Sequence, residues 1–291
     1  MADFGVLIFP TAYAMPIDKL ARELEARGFE SLFVCEHTHI PASRATPWPG
    51  GAELPKQYYH TLDPYVALTA AAQATETLKV ATGITLVSQR DPILLAKTVA
   101  SLDLLSRGRV VLGVGAGWNA EEMAHHGTAF KQRWAIVRER VLAMRALWSE
   151  ETAAFSGEHV NIEPSYCYPK PHQEGGPPVL VGASSKWTWE RIGEYGDGWL
   201  PIYQDQARAA ASGALDYAAG IAEVRAAWER HGRSGEPDLS IFGVPPKAAI
   251  IEELIQTGFQ RLLFALPAAD ADTLLPLLDK LAVRAHEAQR A

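Results

Sequence analysis

Short apolar runs alternate along the whole chain with longer stretches of helical periodicity. The runs at 5–10, 31–36, 79–84, 110–115, 178–183, 198–203, 239–243 and 261–267 read as strands. Val110 to Val114 is β-branched and apolar on both alternating positions, as a strand covered on both faces must be. Between these runs, 16–28, 64–76, 92–106, 119–150, 186–195, 207–231, 247–257 and 271–289 carry helical spacing. Asp63-Pro64 and Asp91-Pro92 place a capping carboxylate ahead of a proline at the first helical position. Gly28, Arg107-Gly108 and Gly258 mark helix ends. Eight strand–helix units predict an α/β protein, a (β/α)8 TIM barrel forming one domain over 1–291. A doubly wound open sheet is the alternative; the regularity of the units favours closure.

Two connections exceed plain linkers. The first, 38–62, is rich in proline and glycine and follows a strand, so it is an inserted loop at the C-terminal face, where barrel active sites are built. The second, 151–177, contains Phe155 to Val160, which reads as a small β-hairpin.

Composition narrows the class. The chain has 291 residues, 48% hydrophobic and 21% charged, with net charge -7, which gives no electrostatic case for nucleic acid or an anionic membrane. No apolar run reaches the roughly 20 residues that span a bilayer. Residues 5–10 read as a first strand and not as a signal peptide. Cys35 and Cys167 form neither a disulfide framework nor a zinc set, Cys35 reads as a core residue, and a reducing cytoplasm suits both.

Candidate chemistry gathers at the strand ends. Gly113-Val114-Gly115-Ala116-Gly117-Trp118 strips a buried strand of side chains just before a tryptophan, so a flat or phosphorylated ligand can approach the backbone. The same glycines could merely relieve crowding, and Trp118 could be core. Thr82-Gly83-Ile84-Thr85 sets a glycine inside a β-branched run, which also fits a bulge. Gly182-Ala183-Ser184-Ser185 offers hydroxyls and backbone N–H groups ahead of a helix, which suits a phosphate or a plain N-cap. Glu36-His37-Thr38-His39 ends the second strand. His37-x-His39 could open a metal-dependent hydrolase site, but the later strands end without histidine. The adjacent His125 and His126 should point to different sides of a helix, and no metal site is expected. No nucleophile elbow appears, and no Walker or Rossmann fingerprint fits its context.

These residues resemble the luciferase-like monooxygenase superfamily, especially its deazaflavin-dependent oxidoreductases. The resemblance runs through Phe4-Gly5-Val6, Glu36-His37, Ile40 to Arg44, Thr82-Gly83-Ile84, Gln89 to Pro92 and Leu102 to Arg109. It continues through Gly113 to Asn119 with Glu122, Gly127 and Arg133, then Gly157-Glu158-His159, Val181 to Ser184 and Gly196 to Trp199. It implies a barrel that seats a flavin-type ring, with a non-prolyl cis peptide at Gly83-Ile84. It also implies a homodimer. Glu36, Gly83, Ile84, Thr85, Gly115, Ala116, Gly117, Trp118, Gly182, Ala183, Ser184 and Ser185 would line that seat, and Glu36 and His37 match the catalytic positions. Trp118 stands where sugar-phosphate dehydrogenases of the group carry a glutamate, which argues against that substrate class and suits a planar or apolar one.

The expected activity is hydride transfer between coenzyme F420 and a small organic substrate. An FMN-dependent monooxygenase, a metal-dependent hydrolase built on His37 and His39, and a non-catalytic flavin-binding protein are the rivals. His37 is the candidate acid/base, since strand alternation sends Glu36 and His37 to opposite sides and only one faces the axis. Trp48, Tyr58 and Tyr59 in the 38–62 loop, with Trp118, should form the substrate pocket.

Overall fold

A computed structural model describes residues 2–51, 53–205, 213 and 215–290. The parallel strands are β1 (Asp3–Ile8), β2 (Ser31–Val34), β3 (Lys79–Leu86), β4 (Val110–Gly115), β7 (Val179–Val181), β8 (Gly198–Trp199), β9 (Asp238–Phe242) and β10 (Arg261–Ala265). They close in the order β1-β10-β9-β8-β7-β4-β3-β2, a (β/α)8 barrel. The expected hairpin is present as β5 (Ala153–Ser156) paired with β6 (Asn161–Ser165).

Strand alternation splits the core in two. Leu7, Phe33, Ala81, Val111, Leu180 and Leu263 fill the barrel, with Cys35 among them. Phe4, Val6, Ile8, Leu32, Val34, Leu112, Val114, Leu262 and Phe264 point outward under the helices. Both cysteines are buried and unpaired.

The helices are α1 (Ile17–Ala26), α2 (Gln57–His60), α3 (Pro64–Gln73), α4 (Pro92–Leu105), α5 (Ala120–His125), α6 (Arg133–Ser149), α7 (Thr188–Tyr195), α8 (Tyr217–Arg230), α9 (Ala248–Thr257) and α10 (Ala271–Arg290). The aspartate caps form as expected. Asp63 Oδ1 accepts from the N–H groups of Tyr65 and Val66 at 2.9 and 3.1 Å, and Asp91 does the same for Ile93 and Leu94. Each such cap is worth about 1 kcal/mol.

Four boundaries differ from the sequence reading. The single helix expected over 119–150 is broken, because Gly127 adopts φ +73° and a 3-10 turn, Phe130–Gln132, precedes α6. The 198–203 run keeps only two strand residues, since Pro201 lacks the N–H that a ladder needs. Strand β2 stops at Val34, before Glu36. The helix expected over 207–231 is seen from Tyr217, and 206–212 and 214 lie outside the described residues.

The N-terminal mouth is closed by charge. Arg261 is 5% exposed and donates to both oxygens of Glu30 at 2.9 and 3.0 Å, to Asp238 at 2.7 Å and to Ser240 at 2.8 Å. Lys79 adds a contact to Glu30 at 2.7 Å. Burial opposes ionisation of Glu30, but Arg261 and Lys79 outweigh it and hold the carboxyl below its usual range. On the flank, the neighbouring helices α3 and α4 expose Val66, Ile93, Leu94, Leu104 and Leu105.

Candidate functional site

Strand β3 sets the floor of the C-terminal mouth. Its register against β4 shifts between Thr82 and Thr85, and the Gly83-Ile84 peptide inside that irregularity is cis. The shift lays Ile84 across the barrel top. A Cβ on Gly115 would stand 1.9 Å from Ile84 Cδ1, and one on Gly182 would stand 2.7 Å from Ile84 Cγ2. The missing side chains at these two strand ends are therefore explained first by Ile84, which occupies the room a ligand was expected to use. What a ligand meets is a smooth aliphatic surface. Gly117 has a different reason: φ +78° turns the chain from β4 towards α5.

Past β2, consecutive side chains part. Glu36 enters the wall, where its carboxylate accepts from Leu86 N–H at 2.8 Å and Arg90 Nε at 2.5 Å. Arg90 also donates to Asp63 at 2.7 Å and lies 4.9 Å over the Tyr65 ring. Tyr65 in turn meets Thr85 Oγ1 at 2.7 Å. Burial pushes the Glu36 carboxyl up, against the pull of Arg90 and the Leu86 N–H. Both Glu36 oxygens are committed to this network, so the structure sets Glu36 apart from His37.

His37 turns to the mouth. Its Nδ1 lies 2.9 and 3.1 Å from the two oxygens of Glu122, a side chain with no solvent exposure. Glu122 is itself held on α5, where Asn119 Oδ1 accepts from its N–H at 3.0 Å. A carboxylate only accepts, so Nδ1 carries the proton and Nε2 is left for other partners. The His37 ring packs against Tyr58 at 5.3 Å and edge-on to Trp118 at 5.8 Å. The sequence reading named Glu122 only within the family motif and gave it no role; the structure makes it the partner of His37. Its signal was faint, since an acid in the first turn of a helix is ordinary.

The second histidine of His37-x-His39 goes elsewhere. His39 Nε2 meets His125 Nδ1 at 2.8 Å, and His126 Nε2 meets Thr38 Oγ1 at 2.9 Å. His125 and His126 thus serve the same loop, because α5 ends at His125 and the chain turns there. Among the described residues no group of three or more His, Cys, Asp or Glu is placed to hold a metal ion.

At the β7 end, Ser184, Ser185 and Lys186 are exposed ahead of α7. Two N–H groups expected to be available there are taken: Gly182 donates to Val114 O at 2.8 Å and Ser185 to Thr188 Oγ1 at 2.9 Å. The 38–62 loop forms an open cavity of about 600 Å3, lined by Trp48 and Tyr59 but not by Tyr58 or Trp118. Tyr58 stands between this cavity and the barrel, 5.6 Å from Trp48 and 4.5 Å from Phe9.

The sequence profile of luciferase-like monooxygenases matches residues 10–255. An uncharacterised protein of Mycobacterium tuberculosis is 36% identical over 285 residues, covering 97% of this chain and 98% of that one. An F420-dependent hydroxymycolic acid dehydrogenase of the same organism is 29% identical over 188 residues, 64% of this chain and 48% of that one. A monooxygenase from Streptomyces bottropensis superposes with a TM-score of 0.77 at 18% identity, covering 97% and 98% of the two chains, a likeness of fold.

Proposed function

Since the chain belongs to the luciferase-like monooxygenase family, and so to a family of oxidoreductases, we propose that it transfers a hydride between coenzyme F420 and a small organic substrate. The observation that carries this reading is the buried His37–Glu122 pair at the same end of the barrel as Ile84. It joins a proton-handling group to a surface suited to a flat ring.

The residues present fit such a group. Ile84, unobstructed at Gly115 and Gly182, gives a planar ring an aliphatic face to lie on. Ser184, Ser185 and Lys186 would meet its phosphate at the exposed turn before α7. When bound, the deazaflavin supplies the hydride chemistry. The chain supplies proton handling at His37 Nε2, with Glu122 fixing the tautomer and orientation of the ring. Glu36 holds the wall from which His37 emerges and acts on position, not on the proton. Trp118 and Tyr58 exclude water around the imidazole. We read residues 1–291 as one domain acting as a homodimer through the apolar α3/α4 face, with a small molecule as its other partner.

Fluorescence titration with F420 and with FMN tests the cofactor. The expected result is micromolar or tighter binding of F420 and at least about tenfold weaker binding of FMN. The reverse preference would overturn the proposal in favour of a flavin monooxygenase.

A further inference from the structure

The cavity under the 38–62 loop plays no part in the proton handling just described. Ile40, Leu54, Trp48 and Tyr59 give it apolar and aromatic walls, and its charged lining groups are Arg44 and Glu53. Arg44 is half-buried; its Nη1 is sealed from the cavity without a hydrogen-bond partner, so Nε and Nη2 are the nitrogens left to face a ligand. Glu121, near enough to feel the Arg44 charge, is committed to the backbone N–H and hydroxyl of Thr46. Glu53 is exposed.

Arg133, Arg140 and Arg191 also bury one such nitrogen; what sets Arg44 apart is that its side chain lines this cavity. Arg44 is also held with φ +51°, a backbone region that non-glycine residues rarely occupy. Its guanidinium stands 5.8 Å over the Trp118 ring, which in turn meets His37 edge-on. One aromatic ring therefore separates an unpaired cation from the proton-handling residue.

We propose that this cavity binds the body of the substrate and that Arg44 anchors a carboxylate on it, so that the substrate is an aromatic or apolar carboxylic acid. The assignment rests on the preceding reading only in taking His37 as the reacting end. Planar walls suit an aromatic body, and a guanidinium fork matches a carboxylate in two parallel hydrogen bonds. Glu53 excludes a second negative charge from the open side, which favours a monoanion.

Calorimetric titration of the cofactor-free protein with 2-naphthoate and with its neutral isostere 2-naphthamide tests this directly. The acid should bind at least about tenfold more tightly than the amide, the discrimination expected when a charged hydrogen bond is present or absent. Arg44→Gln should erase the preference and leave the amide affinity unchanged, and Arg44→Lys should keep part of it. Equal binding of acid and amide by the native protein would overturn the proposal. So would a preference that survives in Arg44→Gln. If Arg44→Gln fails to fold, the native acid-to-amide ratio and the Arg44→Lys variant still decide the matter. Repeating the titration with F420 saturating separates a substrate carboxylate from an anionic group of the cofactor. Retained naphthoate binding supports the substrate, and competitive loss overturns it. These measurements stand apart from the cofactor test, since naphthoate discrimination in the cofactor-free protein does not depend on which cofactor binds.

Discussion

The two mouths of the barrel bury charge in opposite ways. At the N-terminal mouth, the Arg261 guanidinium meets Glu30, Asp238 and Ser240, and Lys79 joins the same carboxylate. At the C-terminal mouth, His37 keeps one ring nitrogen beyond its bond to Glu122, and Arg44 buries a nitrogen with no partner. Burial alone does not separate scaffold from chemistry. Among the charged groups of the two mouths saturation does: Arg261 and Glu30 are matched within the fold, whereas His37 and Arg44 each keep a nitrogen unmatched. By that measure Glu36 belongs with Arg261, although it neighbours His37 in sequence.

Arg261→Met should have the largest effect. It leaves Asp238 without its cation and Glu30 with Lys79 alone, at a cost of about 3–5 kcal/mol. Urea denaturation reads this, and turnover per folded molecule should be unchanged. A loss below about 1 kcal/mol would remove the distinction between the mouths. His37→Asn, whose amide nitrogen stands where Nδ1 does, should invert the pattern. The amide can still donate to Glu122, so stability should change by less than about 1 kcal/mol while turnover falls by about 10²-fold or more. Unchanged turnover would take His37 out of the reaction. Gly115→Ala comes next, since its methyl must displace Ile84, an overpacking of about 1–3 kcal/mol that should weaken cofactor binding about tenfold. Ile84→Val deletes the clashing Cδ1 and should restore affinity in the double variant. Failure of that rescue would show that Ile84 does not set the floor.

The smallest effect is a slope. Glu30 titrates below its usual range in the fold, so its stabilisation is complete above the ordinary carboxylate pKa and is lost as the pH falls through the lowered one. Glu30→Gln should flatten the acid limb of the stability curve. Identical limbs in the two proteins would exclude Glu30 from that response.

The barrel was legible in the sequence because strand and helix periods recur with their own caps and stops. Asp63, Asp91 and Gly258 act locally and could be read locally. His37 could be found because it follows a strand. The role of Glu122 could not, since its meaning lies in a partner 85 positions away. The glycines show a subtler failure. They signalled absent side chains correctly, but not whose atoms would fill the space, and Ile84 reaches Gly115 and Gly182 only through the irregular register of β3. Separating Glu36 from His37 needed the observed end of β2, because alternation stops where the strand does.

Helix α5 is a shared fastening. Glu122 on this short helix orients His37, Glu121 holds Thr46, and His125 with the following His126 grips His39 and Thr38. The loop over the mouth and the alignment of the imidazole therefore hang from the same short helix and the residue that follows it. A ligand that lifts the loop far enough to strain these bonds pulls on the carboxylate that aims His37. On the proposed reading, opening of the loop and alignment of His37 draw on the same set of bonds.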